Sequence, residues 1–317
     1  MIGLRRKINK VGKDTLTVSL PKDWALKNGL KKGTEVEIDV KDHTLTVFGK
    51  MKTGEKTVEI EAQDDPESLF RLVRASYFQG ADEIKVKFKN KNSMELVEKH
   101  LDYFIGFEVI ERTSAYWILR SIADIREGEF EKVLKRLFNL VGSMGIYLYE
   151  SYKKGKLNTF DHIYKLELTV NKLYIFCSRY TNSSGWKQFK TPTLYYILVQ
   201  KLESIADAFE SISQHYTETK RMKMTEQTMK LLEHVIQYFH DMQEHYYNFS
   251  IEKFPELFAS KTELTKKSSR LYKTVSREEL LLISKLMDAI ILVWDAISNI
   301  FDIKAAENPE GVGIFQK

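Results

Sequence analysis

Two apolar stripes in the second half of the chain constrain its fold most. Ile163, Leu166, Val170, Leu173 and Cys177 recur at alternating intervals of three and four residues, and so do Leu198, Leu202, Ile205, Phe209 and Ile212. That period lays each set along one face of an α-helix. Ser183-Ser184-Gly185 and Pro192 punctuate the pattern. The reading predicts helices over 127–155, 159–182, 192–217, 224–249, a shorter one after Pro255, and a last one over 276–304. These lengths and loops describe two antiparallel three-helix units, 123–216 and 223–305. The last helix is expected to run ~42 Å at ~1.5 Å per residue, with a frayed tail after Glu307. Its run LLLISKLMDAIILVWDAISNIF is interrupted by Lys285, Asp288 and Asp295. Charges at a bilayer centre are costly, so this segment belongs to a helical core and the chain is not membrane-embedded.

Charge is distributed unevenly over the 317 residues. Residues 1–50 carry 11 Lys and Arg against 6 Asp and Glu, which accounts for the whole net charge of +5. Arg5, Arg6, Lys7, Lys10 and Lys13 all precede the first acidic residue, Asp14. A local basic patch supplies the sequence-independent part of nucleic-acid affinity through counterion release. The same charges also suit a solvated strand edge that resists pairing. With Cys177 as the one cysteine, no intrachain disulfide can form, and a reducing, cytoplasmic setting is the simplest reading. The start of the chain has charge but no apolar run, so no signal peptide is expected.

The first 121 residues alternate in other ways. Thr15 to Leu20 has period two, Pro21 opens a short helix, and Val36–Val40 and Leu45–Phe48 read as strands around turns at Gly33 and Asp42-His43. Four short strands and one helical turn cannot bury much apolar surface alone, so a homodimer with interleaved hairpins is expected for residues 1–50. From 54 to 121 the order is strand Val58–Ile60, helix from Pro66 to Gly80, strand Ile84–Phe88, helix Met94–Phe104, then one or two strands over Phe107–Ile122. That order implies a small α/β layer. The fold class is therefore multidomain: a small β-rich domain, a small α/β spacer, and all-α tandem three-helix bundles.

The stretch RKINKVGKDTLTVSLPKDWALKNGLKKGTEVEI, Arg6 to Ile38, resembles the SpoVT–AbrB swapped-hairpin DNA-binding domain. Arg6 and Lys7, Gly12-Lys13, the strand ending at Pro21, the helix from Lys22 and the Gly33 turn carry the resemblance. It implies duplex DNA as a partner and a two-fold dimer matched to a pseudo-palindromic site. Arg5, Arg6, Lys7, Lys10, Lys13 and Lys22 are the candidate phosphate contacts.

TFDHIYKLELTVNKLYIFCSRYTN, Thr159–Asn182, and YYILVQKLESIADAFESIS, Tyr195–Ser213, resemble the PhoU phosphate-uptake regulator family. The matching motifs are Glu167-x-x-x-Asn171 ending in Arg179, and Leu202-Glu203-Ser204-Ile205-Ala206-Asp207. The resemblance implies tandem three-helix bundles, metal-binding carboxylate clusters, and phosphate ABC transporter components as partners. The fusion as a whole resembles the archaeal form of that family. Glu167, Asn171, Glu203 and Asp207 are then the candidate ligands for Mg, Mn or Fe. Read from spacing alone, Glu203 and Asp207 share a helix face and repel unless a cation offsets them; solvation, or pairing with Lys172 and Lys201, is the other reading. A second site is degenerate, because Ser284 stands four residues before Asp288. His240, Asp241, Glu244 and His245 read as a solvated face of the fourth long helix. No acid–base or nucleophile pair is patterned, so the chain is not expected to be an enzyme. Two functional readings follow: a dimeric DNA-binding transcriptional regulator of phosphate uptake, or a non-DNA-binding adaptor that restrains a phosphate transporter. An antitoxin-like use of the first domain is the third, set against the roughly 250 folded residues that follow it.

Overall fold

A computed structural model of the protein describes residues 5–41, 44–48, 56–122, 128–154, 158–183, 189–219 and 224–313. The chain divides into two compact units, Met1–Thr57 and Val58–Lys317. The expected turn at Asp42-His43 and the tail beyond Gly313 lie outside the described residues.

The first unit is two hairpins and one short helix. β1 (Ile8–Val11) pairs antiparallel with β2 (Thr15–Val18), turning at Gly12, whose φ of 71° suits a residue without a Cβ. The sequence reading names no strand over Ile8–Val11; two apolar ends around Asn9-Lys10 give a weak alternation. α1 (Lys22–Lys27) starts at Lys22 as expected, with Pro21 as its extended N-cap rather than its first helical residue. β3 (Glu37–Lys41) pairs antiparallel with β4 (Thr44–Phe48). Among the residues from 5 to 56 whose side chains are described, none is buried.

In the second unit a four-stranded sheet has the order β5 (Thr57–Ile60), β6 (Glu83–Lys87), β8 (Tyr116–Ser121), β7 (Phe107–Arg112). α2 (Pro66–Phe78) begins where the Asp65 carboxylate accepts from the Ser68 amide at 2.8 Å, with Pro66 just inside the helix. α3 (Lys91–Lys99) begins earlier than expected because Asn90 caps it through the Ser93 amide at 2.9 Å, and it ends at His100 before a 3₁₀ turn, Leu101–Tyr103. Leu69, Val73, Tyr77, Ile84, Val86, Trp117 and Leu119 form the core between helices and sheet. A bulge between Val109 and Glu111 bends the edge strand β7.

Six long helices follow: α4 (Glu129–Lys154), α5 (Asn158–Ser183), α6 (Pro192–Glu218), α7 (Glu226–Tyr247), α8 (Phe254–Leu271) and α9 (Arg277–Glu307). α4, α5 and α6 pack on one another, α9 packs on α7 and α8, and α6 lies along α9. The stripes read from sequence face the core: Ile163, Val170, Leu173 and Cys177 on α5 are buried and Leu166 partly so, and Leu198, Leu202, Ile205, Phe209 and Ile212 on α6 are all buried. α9 has 31 residues and so spans about 46 Å. Among the described residues no helix is long and apolar enough to cross a membrane.

The sheet layer is fastened to α5 by Arg179, which is only 6% exposed. Its Nη1 donates to the Tyr77 carbonyl at 2.9 Å, and its guanidinium lies 4.8 Å from the Tyr77 ring centre and 5.0 Å from that of Phe107. Beside it, Gly80 turns the chain out of α2 with φ 75°, and a Cβ there would sit 2.6 Å from the Ser183 Cβ. Glycine is thus required at this turn both by its backbone conformation and by the close approach of α5.

Candidate nucleic-acid interface and a carboxylate cluster

The register of the first hairpin distributes the six candidate DNA contacts. Arg5, Arg6 and Lys7 sit at its open end, before Ile8, which pairs with Val18. Lys13 sits at the turn, a four-residue strand away, or roughly 13 Å. Lys22 opens α1, four residues after the open end. All six side chains, Lys10 included, are exposed. Cross-strand pairing puts Ile8, Lys10, Leu16 and Val18 on one face, so Lys10 rises from an apolar surface. Lys27, Lys31 and Lys32 are exposed in the same unit and were not among the sequence candidates, although the same charge asymmetry includes them.

Many apolar residues of this unit face water, while Trp24, Leu30, Val36 and Val47 are half-buried. Ile8, Leu16, Leu26 and Val40 are 66–68% exposed. On the second hairpin the pairs Ile38–Val47 and Val40–Leu45 place four apolar side chains on one face. A face of this kind on so small a unit is what a second polypeptide surface would cover.

The helical half brings together carboxylates from two helices. Glu203, Asp207 and Glu210 lie on successive turns of α6, and Glu167 on α5 feels the charges of Asp207 and Glu210. Burial first, then Asp207 and Glu210, push the Glu167 carboxyl up to about 7, against a hydrogen bond from Asn171. Burial, then Asp207, push Glu203 up to about 7 as well, with Arg74 of α2 opposing. Partial desolvation raises Asp207 and Glu210 too. Asn171 Nδ2 donates to Glu167 Oε1, so the amide offers Glu167 a donor. The two lysines considered as partners are engaged elsewhere: Lys172 with Asp102 at 3.3 Å and Lys201 with Asp295 at 2.8 Å. Glu210 was missed in the sequence, although it continues the Glu203–Asp207 face by one turn. Among the described residues no group of three or more His, Cys, Asp or Glu side chains is placed to hold a metal ion. Glu167, Asn171, Glu203 and Asp207 are therefore gathered as a repelling cluster rather than as a closed ligand shell.

The cluster makes stability depend on pH. Glu167 and Glu203 are harder to ionise in the folded chain than at their ordinary value of 4.5. The folded state therefore holds more protons between about 4.5 and about 7, and stability falls as pH rises through that window. Below it the penalty is absent; above it the penalty is complete. A Glu167→Gln, Glu203→Gln chain should lose this slope and gain on the order of 1–2 kcal/mol per site at about pH 8, allowing for solvent screening. Thermal unfolding at about pH 5 and pH 8 reads the slope. An unchanged slope in the double variant removes these residues as its cause.

His245 corrects the reading of α7 as solvated through this stretch. It is 1% exposed, packs 4.9 Å from the Phe249 ring, and neither ring nitrogen has a hydrogen-bond partner. Burial, with Lys253 and Lys304 nearby, lowers its pKa and favours the neutral ring. Of the four residues read as one solvated face, His245 turns to the core.

The first unit is thus a small, exposed, basic pair of hairpins with apolar side chains gathered on one face of each. Residues 10–54 match the family described as antidote-toxin recognition MazE, bacterial antitoxin. The match covers less than half of the chain and identifies an antitoxin-type, AbrB-like domain at the N-terminal end, which supports a DNA-binding regulator in general. No curated protein matches the chain.

Proposed function

We propose that the chain is a dimeric transcriptional regulator of phosphate uptake, in which paired N-terminal hairpins hold duplex DNA and the helical half sets when they do so. The apolar face left open in a basic unit carries this reading. Covering that face with a second copy gives the two-fold arrangement that repeated half-sites require. The likeness of Thr159–Asn182 and Tyr195–Ser213 to phosphate-uptake regulators supports the physiological assignment. A partner that binds one arrangement of the helices better than another would shift the dimer between DNA-competent and incompetent states. The carboxylate cluster is where a divalent cation could bias that equilibrium, since a bound cation removes its internal repulsion. A rise in melting temperature on adding Mn²⁺ at about pH 8, lost in the Glu167→Gln, Glu203→Gln chain, is the expected result; no shift removes the cation from the mechanism.

About six phosphate contacts per complex give a log–log salt slope of about −5 for DNA affinity. Arg6→Ala with Lys13→Ala removes two candidate contacts from each subunit, up to four per dimer, and should make that slope shallower by about 2 to 4 and weaken binding uniformly across sequences. Fluorescence anisotropy on duplex DNA at several salt concentrations measures both, and a flat salt response rejects DNA binding. A second reading rests on the matched family's description: the same hairpins would then recognise a toxin protein. A co-purifying small protein that leaves when Val40→Asp is introduced, with no DNA retained by the intact chain, is its signature. A transporter component that co-purifies without DNA would favour the adaptor reading instead.

A further inference from the structure

The exposed groove between α7 and α8 has a charge pattern that neither the DNA-binding unit nor the carboxylate cluster explains. Its upper part, about 340 Å³, is lined by Lys230, His234, Lys267 and Arg270 over Leu231 and Leu271, with no carboxylate in the lining. Its lower part, about 220 Å³, shares His234 and Lys267 and adds Tyr238, Asp241, Ser260 and Glu263. One end thus has Lys230, Lys267 and Arg270 around a largely apolar floor, and the adjoining end adds carboxylates and hydroxyls.

The lower end contains a side chain without a partner. Tyr238 is 1% exposed, and its hydroxyl is buried with no hydrogen-bond partner. An orphan buried hydroxyl is costly to maintain and is a candidate for satisfaction by a ligand. Burial and the nearby Asp241 charge raise its pKa, so it stays protonated and able to donate. Lys230 and Lys267 are held by Glu226 and Glu263 at 2.7 Å, but these are exposed pairs one helical turn apart. Such pairs are weak, so both ammonium groups can turn toward an anion at little cost.

We propose that this groove binds a small phosphorylated polyol, of which a sugar phosphate is the simplest kind. Lys230, His234, Lys267 and Arg270 take the phosphate, and Arg270 can do so with two parallel N–H donors. Asp241 and Glu263 accept from the polyol hydroxyls, and the Tyr238 hydroxyl donates to one of them. The volume suits a ligand of this size. The site is independent of the DNA reading, because it lies wholly in the second unit.

Ribose 5-phosphate is the probe, titrated calorimetrically into the full chain at constant ionic strength. Saturable binding of one molecule per chain is expected, with inorganic phosphate and ribose each at least about tenfold weaker. Lys267→Ala with Arg270→Ala should weaken both ribose 5-phosphate and inorganic phosphate about tenfold or more. Asp241→Asn should weaken ribose 5-phosphate several-fold and leave inorganic phosphate unchanged, which a general loss of structure would not do. The Arg6→Ala, Lys13→Ala chain should bind the probe normally, so failure of the DNA reading would leave this result standing. No saturable binding of ribose 5-phosphate, equal binding of inorganic phosphate, or full binding by the Lys267→Ala, Arg270→Ala chain would each overturn the proposal.

Discussion

A chain carrying Val40→Asp is expected to sediment as a monomer and to lose DNA affinity by about a hundredfold or more, while its helical content is unchanged. Val40 is 68% exposed in the single chain. At such a position a substitution ordinarily changes stability by less than about 0.5 kcal/mol. If a second copy covers the face formed by Ile38, Val40, Leu45 and Val47, the new carboxylate is desolvated at the interface, at a cost of several kcal/mol. Each ~1.4 kcal/mol is a factor of ten, so a cost of about 3 kcal/mol already gives the hundredfold loss. The matching control is Thr44→Asp, which adds the same charge to the same strand pair. Alternation puts Thr44 on the opposite face from Leu45, and it is exposed there. Sedimentation separates the two outcomes directly. A Val40→Asp chain that remains dimeric would show that this face is not the interface, and a Thr44→Asp chain that dissociates would show that charge alone is responsible.

The helical half was the most legible part of the sequence, because α5 and α6 write their buried faces as a repeated three–four spacing and Ser183-Ser184-Gly185 and Pro192 mark the break between them. α5 and α6 begin and end within one residue of the expected positions. Elements set by one local contact were less legible. The start of α3 depends on Asn90 capping Ser93, and β1 on a four-residue strand with apolar residues only at its ends. The cluster was half visible. Glu203 and Asp207 announce themselves by their spacing on one helix, but their coupling to Glu167 depends on how α5 and α6 face each other. The engagement of Lys172 with Asp102 and Lys201 with Asp295, 70 and 94 residues away in sequence, leaves no local trace. Arg179 was visible as the end of a motif, yet nothing in the sequence showed that it would be buried against the sheet layer.

That burial leads to the second large effect. Arg179→Ala should destabilise the chain by about 3 kcal/mol in urea unfolding, since it leaves the Tyr77 carbonyl without its donor and two aromatic faces without their cation. Burial lowers the pKa of Arg179, which means that the surroundings charge a penalty for its ionised form. The Asp82 carboxylate is 3.9 Å away and half exposed, too distant and too wet to offset that penalty alone. The offset comes from the carbonyl and from the rings of Tyr77 and Phe107, whose centres lie 4.8 and 5.0 Å from the guanidinium. Arg179→Lys should therefore rescue little, because a compact ammonium cannot approach both rings, which meet edge to face, while reaching the same carbonyl. Arg179→Met should rescue more than Lys, because it restores the buried stem without an ion to desolvate. The expected order of stability is Arg, then Met, then Lys, then Ala. A Lys variant as stable as the parent would show that charge alone suffices. A loss below about 1 kcal/mol in the Ala variant would mean that α5 and the sheet layer hold together without this residue.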